Sequence, residues 1–103
     1  MPELISRAVD NLISNALRYA ASKITVSCKK IENSIIISVA DDGNGIEPET
    51  LPHVFERFYK GKGGNIGIGL AIVKSIAEQH KGQVTAENGK NGGAVIAITL
   101  PIT

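Results

Sequence analysis

The stretch KITVSCKKIENSIIISVADDGNGI, residues 23 to 46, determines the predicted fold class. Its first seven residues alternate in polarity, with Ile24, Val26 and Cys28 on one side. The segment KIENS is predicted to turn the chain into a second strand over residues 35–41. Alternating strands have one apolar and one solvated face, which is typical of antiparallel sheets. The pattern therefore predicts helices on one side of a sheet, a two-layer sandwich, rather than a doubly wound fold.

Helical spacing and turn residues organise the rest of the chain. A long helix is predicted over residues 3–20, followed after the first hairpin by a loop at 42–47 and a short helix near Pro48. A second loop at 59–67 leads into a long helix over about 68–81, which Gly82 is predicted to cap. A second hairpin is formed by residues 83–88 and 94–100. We therefore expect one α/β domain over residues 1–103. Its sheet should be mixed but mainly antiparallel, with about four strands and three helices on one face.

Composition limits the classes of function. The 103 residues are 43 % apolar and carry a net charge of +1 without a basic block, which gives no support to nucleic-acid or membrane-surface binding. The single Cys28 cannot form an intramolecular disulfide, and no Cys/His cluster indicates zinc. No signal peptide and no apolar run near the ~20 residues of a membrane span is recognisable. These features predict a cytoplasmic domain, whether free or part of a membrane-anchored protein.

Three polar residues interrupt the apolar pattern of the first helix. Asn11 and Asn15 are four residues apart and Arg18 follows, so the three share a stripe beside the apolar face. Asn is unfavourable inside a helix by roughly half a kcal/mol relative to Ala. A solvated surface explains this stripe. The alternative is that carboxamide oxygens, which suit Mg²⁺, and a cation converge on a metal-bound phosphate.

The DDGNGI loop, residues 41 to 46, contains a second anomaly. Asp41 continues the parity of the apolar strand residues and is predicted to lean toward the buried layer, whereas Asp42 points outward. A carboxylate on that side needs partners. It either caps the turn at Gly43 and Gly45 or accepts hydrogen bonds from the amino group of a ligand that these glycines allow to approach.

A third anomaly is GKGGNIGIGLAIVKS, residues 61 to 75, where a glycine run becomes a helix. Gly67 and Gly69 lie at the helix start, where free N–H groups and the helix dipole attract anions. Gly61, Gly63 and Gly64 are predicted to form a flexible cover. The stretch has neither the Walker A spacing nor the dinucleotide-binding fingerprint.

The order and spacing of four motifs are more specific than any one of them. NLISNALRYA, DDGNGI, FERFYKGKGG and GIGLAIVKS resemble the N box, first glycine box, F box and second glycine box of sensor histidine kinase catalytic domains, which belong to the GHKL superfamily with DNA gyrase. The resemblance extends over about residues 3–100. It implies a Bergerat-type sandwich that holds ATP between helices and a lid.

The resemblance also implies roles for individual residues. Asn15 matches the magnesium ligand, Asn11 and Arg18 match phosphate-side catalytic residues, and Asp41 matches the acceptor of the adenine amino group. The other implied nucleotide-binding residues are Tyr19, Gly43, Gly45, Ile46, Lys60, Lys62, Gly67, Ile68, Gly69 and Leu70. The F box matches are Phe55 and Phe58, which anchor the lid, and Arg57 is a further candidate for phosphate contact.

The function implied is donation of the γ-phosphate of Mg-ATP to a histidine on a separate dimerisation domain, with a response regulator as indirect partner. The acceptor-histidine motif and the strand that usually precedes the first helix are absent, so we expect a piece truncated at its N-terminus that does not autophosphorylate alone. Alternatives are a hydrolytic GHKL ATPase, an anti-sigma-type serine kinase and a non-catalytic nucleotide-binding module. Hydrolysis needs a general base, and the ATPases place Glu where this chain has Asn11.

Overall fold

A computed structural model describes residues 2–56, 68–90 and 92–102. The elements, in chain order, are α1 (Pro2–Tyr19), β1 (Ile24–Ile31), β2 (Ser34–Asp41), a 3-10 helix (Leu51–His53), α2 (Ile68–Gln79), β3 (Gln83–Asn88) and β4 (Ala94–Pro101). The predicted long helices and hairpins are therefore present, with one change in the middle of the chain, and the predicted loop of residues 59–67 lies outside the described residues. Pro48 lies in a turn, and the short helix is a single 3-10 turn that begins at Leu51.

The four strands form one sheet in the order β1-β2-β4-β3. Every pairing among the described strands is antiparallel. The two hairpins, β1–β2 and β3–β4, join through the central pair β2 and β4, in which Val39 lies opposite Ile96 and Ile37 opposite Ile98. This arrangement places the C-terminal end of β2 and the β3–β4 turn at the same end of the sheet.

The hydrophobic core lies on one face of the sheet, as the alternation predicted. β2 and β4 contribute Val39, Ile96 and Ile98 to this core. The helical residues that cover them are Ala8, Leu12 and Ala16 from α1 and Leu70, Val73, Ile76 and Ala77 from α2. Both helices therefore pack on the same side, and the two-layer sandwich is confirmed.

Most of strand β1 lies outside this coverage, and Ile24 at its start packs against the core. α1 packs on β2, and α2 packs on β3 and β4. Val26 and Cys28 face the helix side in register with Val39 and Ile37, yet Val26 is 51 % exposed and Cys28 is also exposed. The alternation of β1 thus predicts which face of the sheet each side chain is on, but it does not by itself predict which side chains are buried.

The end of α2 differs from the prediction in which residue changes the backbone direction. The helix ends at Gln79, and Lys81 has the positive φ of 61° that a left-handed cap requires. Gly82 donates its N–H to the carbonyl of Ala77 at 2.7 Å. A Cβ on Gly82 would overlap the carbonyl oxygen of Thr99. Gly82 is therefore needed for the close approach to β4, and Lys81 occupies the left-handed position.

Candidate functional site

The glycine loop that follows β2 begins with Asp41. Asp41 lies on the same face of β2 as the buried Val39 and is itself half-buried. Its Oδ1 accepts a hydrogen bond from the Gly43 N–H at 2.8 Å. The capping role considered for Asp41 is thus present, but it uses one carboxylate oxygen. Within the described residues the other oxygen forms no hydrogen bond, so it is available to a ligand donor.

Asp42 has the outward orientation that strand parity predicted, and it fastens the loop to the segment that follows α1. Its Oδ1 accepts from the backbone N–H groups of Ala21, Ser22 and Lys23, and its Oδ2 accepts from the Ser22 hydroxyl at 2.6 Å. The hydrogen bond from the Ser22 hydroxyl, with those from the three amides, holds the pKa of the Asp42 carboxyl well below its usual range. The ionised carboxylate therefore ties the end of β2 to the segment after α1.

The far end of the glycine loop is fastened by Asn88, the last residue of β3. The Ile46 N–H donates to Asn88 Oδ1 at 2.7 Å, and Asn88 Nδ2 donates to the Ile46 carbonyl at 2.8 Å. Gly45 has φ of 79°, a conformation that favours glycine. The loop of residues 43–45 is therefore held at both ends, by Asp42 and by Asn88.

The β3–β4 turn supports the same loop through backbone contact. Gly93 is buried and has φ of 74°. A Cβ at this position would overlap the carbonyl oxygen of Asp41. Neither Asn88 nor Gly93 was a candidate from the sequence, because the stretch NGKNGG, residues 88 to 93 of the second predicted hairpin, indicates only a turn. The sequence signal that was present, a Gly pair before a strand, does not reveal which backbone the turn contacts.

A second part of the candidate site lies between the two helices. Asn11 and Asn15 are half-buried on α1, and within the described residues neither side chain forms a hydrogen bond. A Cβ added to Gly69, in the first turn of α2, would lie 3.6 Å from Asn11 Oδ1, an ordinary van der Waals distance. Asn11 thus faces the helix start, where backbone N–H groups have no partner within the helix. The stripe is not a fully solvated surface.

The remaining predicted site residues have different positions. Arg18 is exposed near the end of α1, and Tyr19 is the last residue of that helix. Ile68 is the first residue of α2, whereas the Leu70 side chain is 6 % exposed in the core, so only its backbone can meet a ligand. Phe55 packs against the core, in agreement with an anchoring role. The candidates Arg57, Phe58, Lys60, Lys62 and Gly67, like Gly61, Gly63 and Gly64 of the cover, lie outside the described residues.

The two parts of the site are connected through α1. Asn15 and Asn11 precede Tyr19 by about one and two helical turns, roughly 6 and 12 Å along the axis. The segment just after Tyr19 is bound to Asp42, at the end of the sheet where the glycine loop lies. A ligand that reaches from Asp41 to the start of α2 would therefore lie along the half-buried amide side chains of α1.

A metal ion held without a nucleotide would need several protein side chains close together. Residues 2–56, 68–90 and 92–102 contain no cluster of three or more His, Cys, Asp or Glu side chains able to hold an ion. An Mg²⁺ ion commonly takes one or two protein oxygens and completes its shell with phosphate and water. The carboxamide oxygen of Asn15 fits that role only for an ion that arrives with phosphate. Within the same ranges no helix is long and apolar enough to cross a membrane.

Known proteins match the chain over nearly all of its length. A family described as histidine kinase-, DNA gyrase B-, and HSP90-like ATPase matches residues 1–103. The signal transduction histidine-protein kinase AfsQ2 of Streptomyces coelicolor is 41 % identical over 105 residues, which cover 97 % of this chain and 20 % of that protein. The sensor histidine kinase CpxA of Escherichia coli is 38 % identical over 107 residues, covering 98 % and 23 %. The chain thus spans about a fifth of these relatives.

Solved structures agree with these relatives. The mycobacterial sensor histidine kinase MprB superposes with a TM-score of 0.86 at 29 % identity, over 96 % of this chain and 72 % of that one. The histidine kinase domain of the Escherichia coli osmosensor EnvZ superposes with a TM-score of 0.75 at 38 % identity, over 99 % and 66 %. The similarity includes both hairpins and both helices of the sandwich.

Proposed function

The chain belongs to the family of histidine kinase-, DNA gyrase B-, and HSP90-like ATPases, and from this membership we propose that it binds Mg-ATP and donates the γ-phosphate to a histidine on a separate dimerisation domain. A response regulator is then the indirect partner, as in two-component signalling. The proposal draws on relatives that are named sensor histidine kinases. Since ATP is the donor, the domain is expected to act in the cytoplasm.

The observation that carries the proposal is the position of Asn11 against the first turn of α2. Helix starts attract phosphate because their N–H groups are unpaired and the helix dipole is positive there. Gly69 has no side chain, and a Cβ at that position would lie 3.6 Å from Asn11 Oδ1, so the Asn11 carboxamide lies close to the backbone of this turn. Asn11 and the N–H groups from Ile68 onward are therefore the proposed contacts to the triphosphate, with Arg18 as the nearby cation.

The base is proposed to bind at the glycine loop. The oxygen of Asp41 that does not cap Gly43 accepts the adenine N6 amino group, and Gly43 and Gly45 let the base approach the backbone. Ile46 supplies apolar contact beside the base, and it lies partly buried against the core. Adenine and phosphates would then occupy the two ends of one continuous site along α1.

Magnesium is proposed to bind with the nucleotide, through the Asn15 oxygen and phosphate oxygens. A bound Mg²⁺ neutralises charge on the phosphates during transfer. The chain orients the donor, with Asn15 and Asn11 on one face of α1 and the start of α2 opposite Asn11. Such positioning is the main contribution of protein groups to phosphoryl transfer.

Transfer is favoured over hydrolysis by the chemistry of Asn11. Hydrolysis needs a base that takes a proton from water, and a carboxamide cannot do so. A histidine acceptor has its own nucleophilic nitrogen, so it needs no such base. Residues 11–18 of α1 and 68–70 of α2 contain no Asp or Glu that could take this role. The proposed acceptor is therefore an imidazole brought by another domain.

We expect the 103-residue chain, incubated with γ-labelled ATP and magnesium, to bind ATP without labelling itself or releasing phosphate appreciably. Addition of the dimeric histidine-bearing domain of the parent kinase, linked or in excess, should yield acid-labile phosphohistidine on that domain, although loss of a tether lowers the effective concentration. Robust phosphate release by the chain alone would assign it to the ATPases. Acid-stable label on a serine of an added protein would indicate an anti-sigma-type kinase, and binding without transfer to any partner would indicate a nucleotide-binding module.

A separate prediction tests the magnesium role. Asn15→Ala should reduce the magnesium-dependent gain in ATP affinity by about tenfold, the loss typical of one contact to a charged group, and should leave adenosine affinity unchanged. Calorimetric titrations of ATP and adenosine, with and without magnesium, measure both quantities. Ser14→Ala, at the exposed neighbouring position on α1, is the matched control. If adenosine and Mg-ATP affinities fall together, Asn15 supports the helix and does not bind the metal.

A further inference from the structure

The side chain of Asn88 forms a two-point clamp on the glycine loop. Its carboxamide accepts from the Ile46 N–H and donates to the Ile46 carbonyl, at 2.7 and 2.8 Å. The two residues are 42 positions apart in the chain, so the contact joins β3 to the loop that follows β2. An Asn side chain has one acceptor and one donor group, which match the two polar groups of a single peptide residue. Asp offers only the acceptor when ionised.

The clamp also bears on the conformation of Gly45. A Cβ added there would lie 2.7 Å from Asn88 Oδ1 and 3.1 Å from the carbonyl oxygen of Gly93. The Gly45 backbone therefore sits directly against the Asn88 carboxamide and the β3–β4 turn. Because glycine has no Cβ, backbone conformations other than the observed φ of 79° are accessible to Gly45 once the clamp is removed.

The turn that carries Asn88 is itself braced against the loop. Gly89 donates its N–H to the Gly93 carbonyl at 3.0 Å, which closes the turn after Asn88. The Gly93 backbone lies against the Asp41 carbonyl. The same turn therefore contacts the loop at Asp41, Gly45 and Ile46, and it does so from the side of β3 and β4.

We propose that Asn88 is a positioning residue for base recognition. It holds Ile46 and Gly45 so that Asp41 and the loop backbone present a fixed shape to adenine, and it does so without touching the base. This inference rests on the proposed function, since it concerns the same adenine pocket. Its consequence is selectivity: loss of the clamp impairs the contact that distinguishes adenine from guanine more than it impairs the phosphate contacts near α2.

The test compares Asn88→Ala and Asn88→Asp with Asn33→Ala, an exposed Asn in the β1–β2 turn at the opposite end of the sheet. For Asn88→Ala we expect ATP affinity to fall by about tenfold, the equivalent of one lost hydrogen-bonded contact, and GTP affinity by less than about threefold. Asn88→Asp keeps the acceptor for the Ile46 N–H and should give a smaller loss for ATP. Amide hydrogen exchange at Ile46 should accelerate in Asn88→Ala and much less in Asn88→Asp.

The outcomes separate this inference from the proposed function. The positioning role would be overturned if both Asn88 variants lost ATP affinity and GTP affinity equally. It would also be overturned if their affinities equalled those of Asn33→Ala. Neither result would contradict ATP binding by the wild-type chain. A wild-type chain that does not prefer ATP to GTP, and whose Asp41→Asn variant is unchanged, would overturn the proposed base contact first. If Asn88→Ala is unfolded by circular dichroism, the ATP-to-GTP ratio of Asn88→Asp decides the matter alone.

Discussion

Replacement of Gly93 by alanine is expected to lower the free energy of unfolding by about 2–5 kcal/mol. Two causes add. The backbone at Gly93 has φ of 74°, which costs a residue with a side chain roughly 1–2 kcal/mol. The new methyl group would also overlap the carbonyl oxygen of Asp41, a backbone atom that can move only with the end of β2. The loss is a large fraction of the ~5–15 kcal/mol that stabilises a typical domain.

Gly92 provides the matched control for this prediction. It has φ of 99°, but among the described residues a Cβ at that position would meet nothing closer than the Gly43 carbonyl oxygen at 3.8 Å. Gly92→Ala should therefore show the conformational cost alone, roughly 1–2 kcal/mol. Urea denaturation of both variants measures the difference. Equal losses of unfolding free energy in the two variants would mean that the β3–β4 turn can move away from the Asp41 carbonyl at little cost in free energy.

The fold could be predicted from sequence because its signals are local. Alternation over residues 24–29 and helical spacing over residues 3–20 each belong to one segment, and turn residues separate the segments. The membership predicted from four ordered motifs is confirmed by the family match over residues 1–103. Lys81 shows the limit of such signals, because the left-handed conformation is at Lys81 although a glycine follows it directly, and the missing Cβ of Gly82 instead allows close approach to the Thr99 carbonyl.

The candidate site was predictable only in part because its contacts join distant segments. Parity placed Asp41 toward the helix layer, and helical spacing placed Asn11 and Asn15 on one stripe. No periodic pattern in the sequence predicts that the Asn88 side chain contacts the Ile46 backbone. Contacts of this kind depend on how two hairpins are placed in the sheet, and the order of β2 and β4 follows from packing rather than from any short motif. The burial of Leu70 likewise became visible only once α2 was packed on the sheet.

Asp41→Asn is expected to weaken ATP binding by about 10- to 100-fold, because a donor group then faces the adenine amino group and a polar contact costs roughly 1–3 kcal/mol when left unpaired. The wild-type chain should bind ATP at least about tenfold more tightly than GTP, whose carbonyl oxygen faces the carboxylate as one acceptor against another. In the variant the carboxamide can donate to that carbonyl, so GTP affinity should be unchanged or rise. The fold should persist, since an Asn oxygen still accepts the Gly43 N–H.

The neighbouring Asp42→Asn variant makes the comparison specific to the base. Asp42 is exposed, and an Asn at this position keeps an oxygen that accepts from the amides of the Ala21–Lys23 segment. The loop therefore stays fastened, so loss of the charge should lower stability and leave the ratio of ATP to GTP affinity unchanged. Calorimetric titrations of both nucleotides, at one magnesium concentration, measure that ratio for the three proteins. If the ratio in Asp41→Asn equals that of the wild-type chain, Asp41 only caps the Gly43 turn. A ratio that collapses in Asp41→Asn alone, with an unchanged circular dichroism spectrum, assigns recognition of the adenine amino group to its carboxylate.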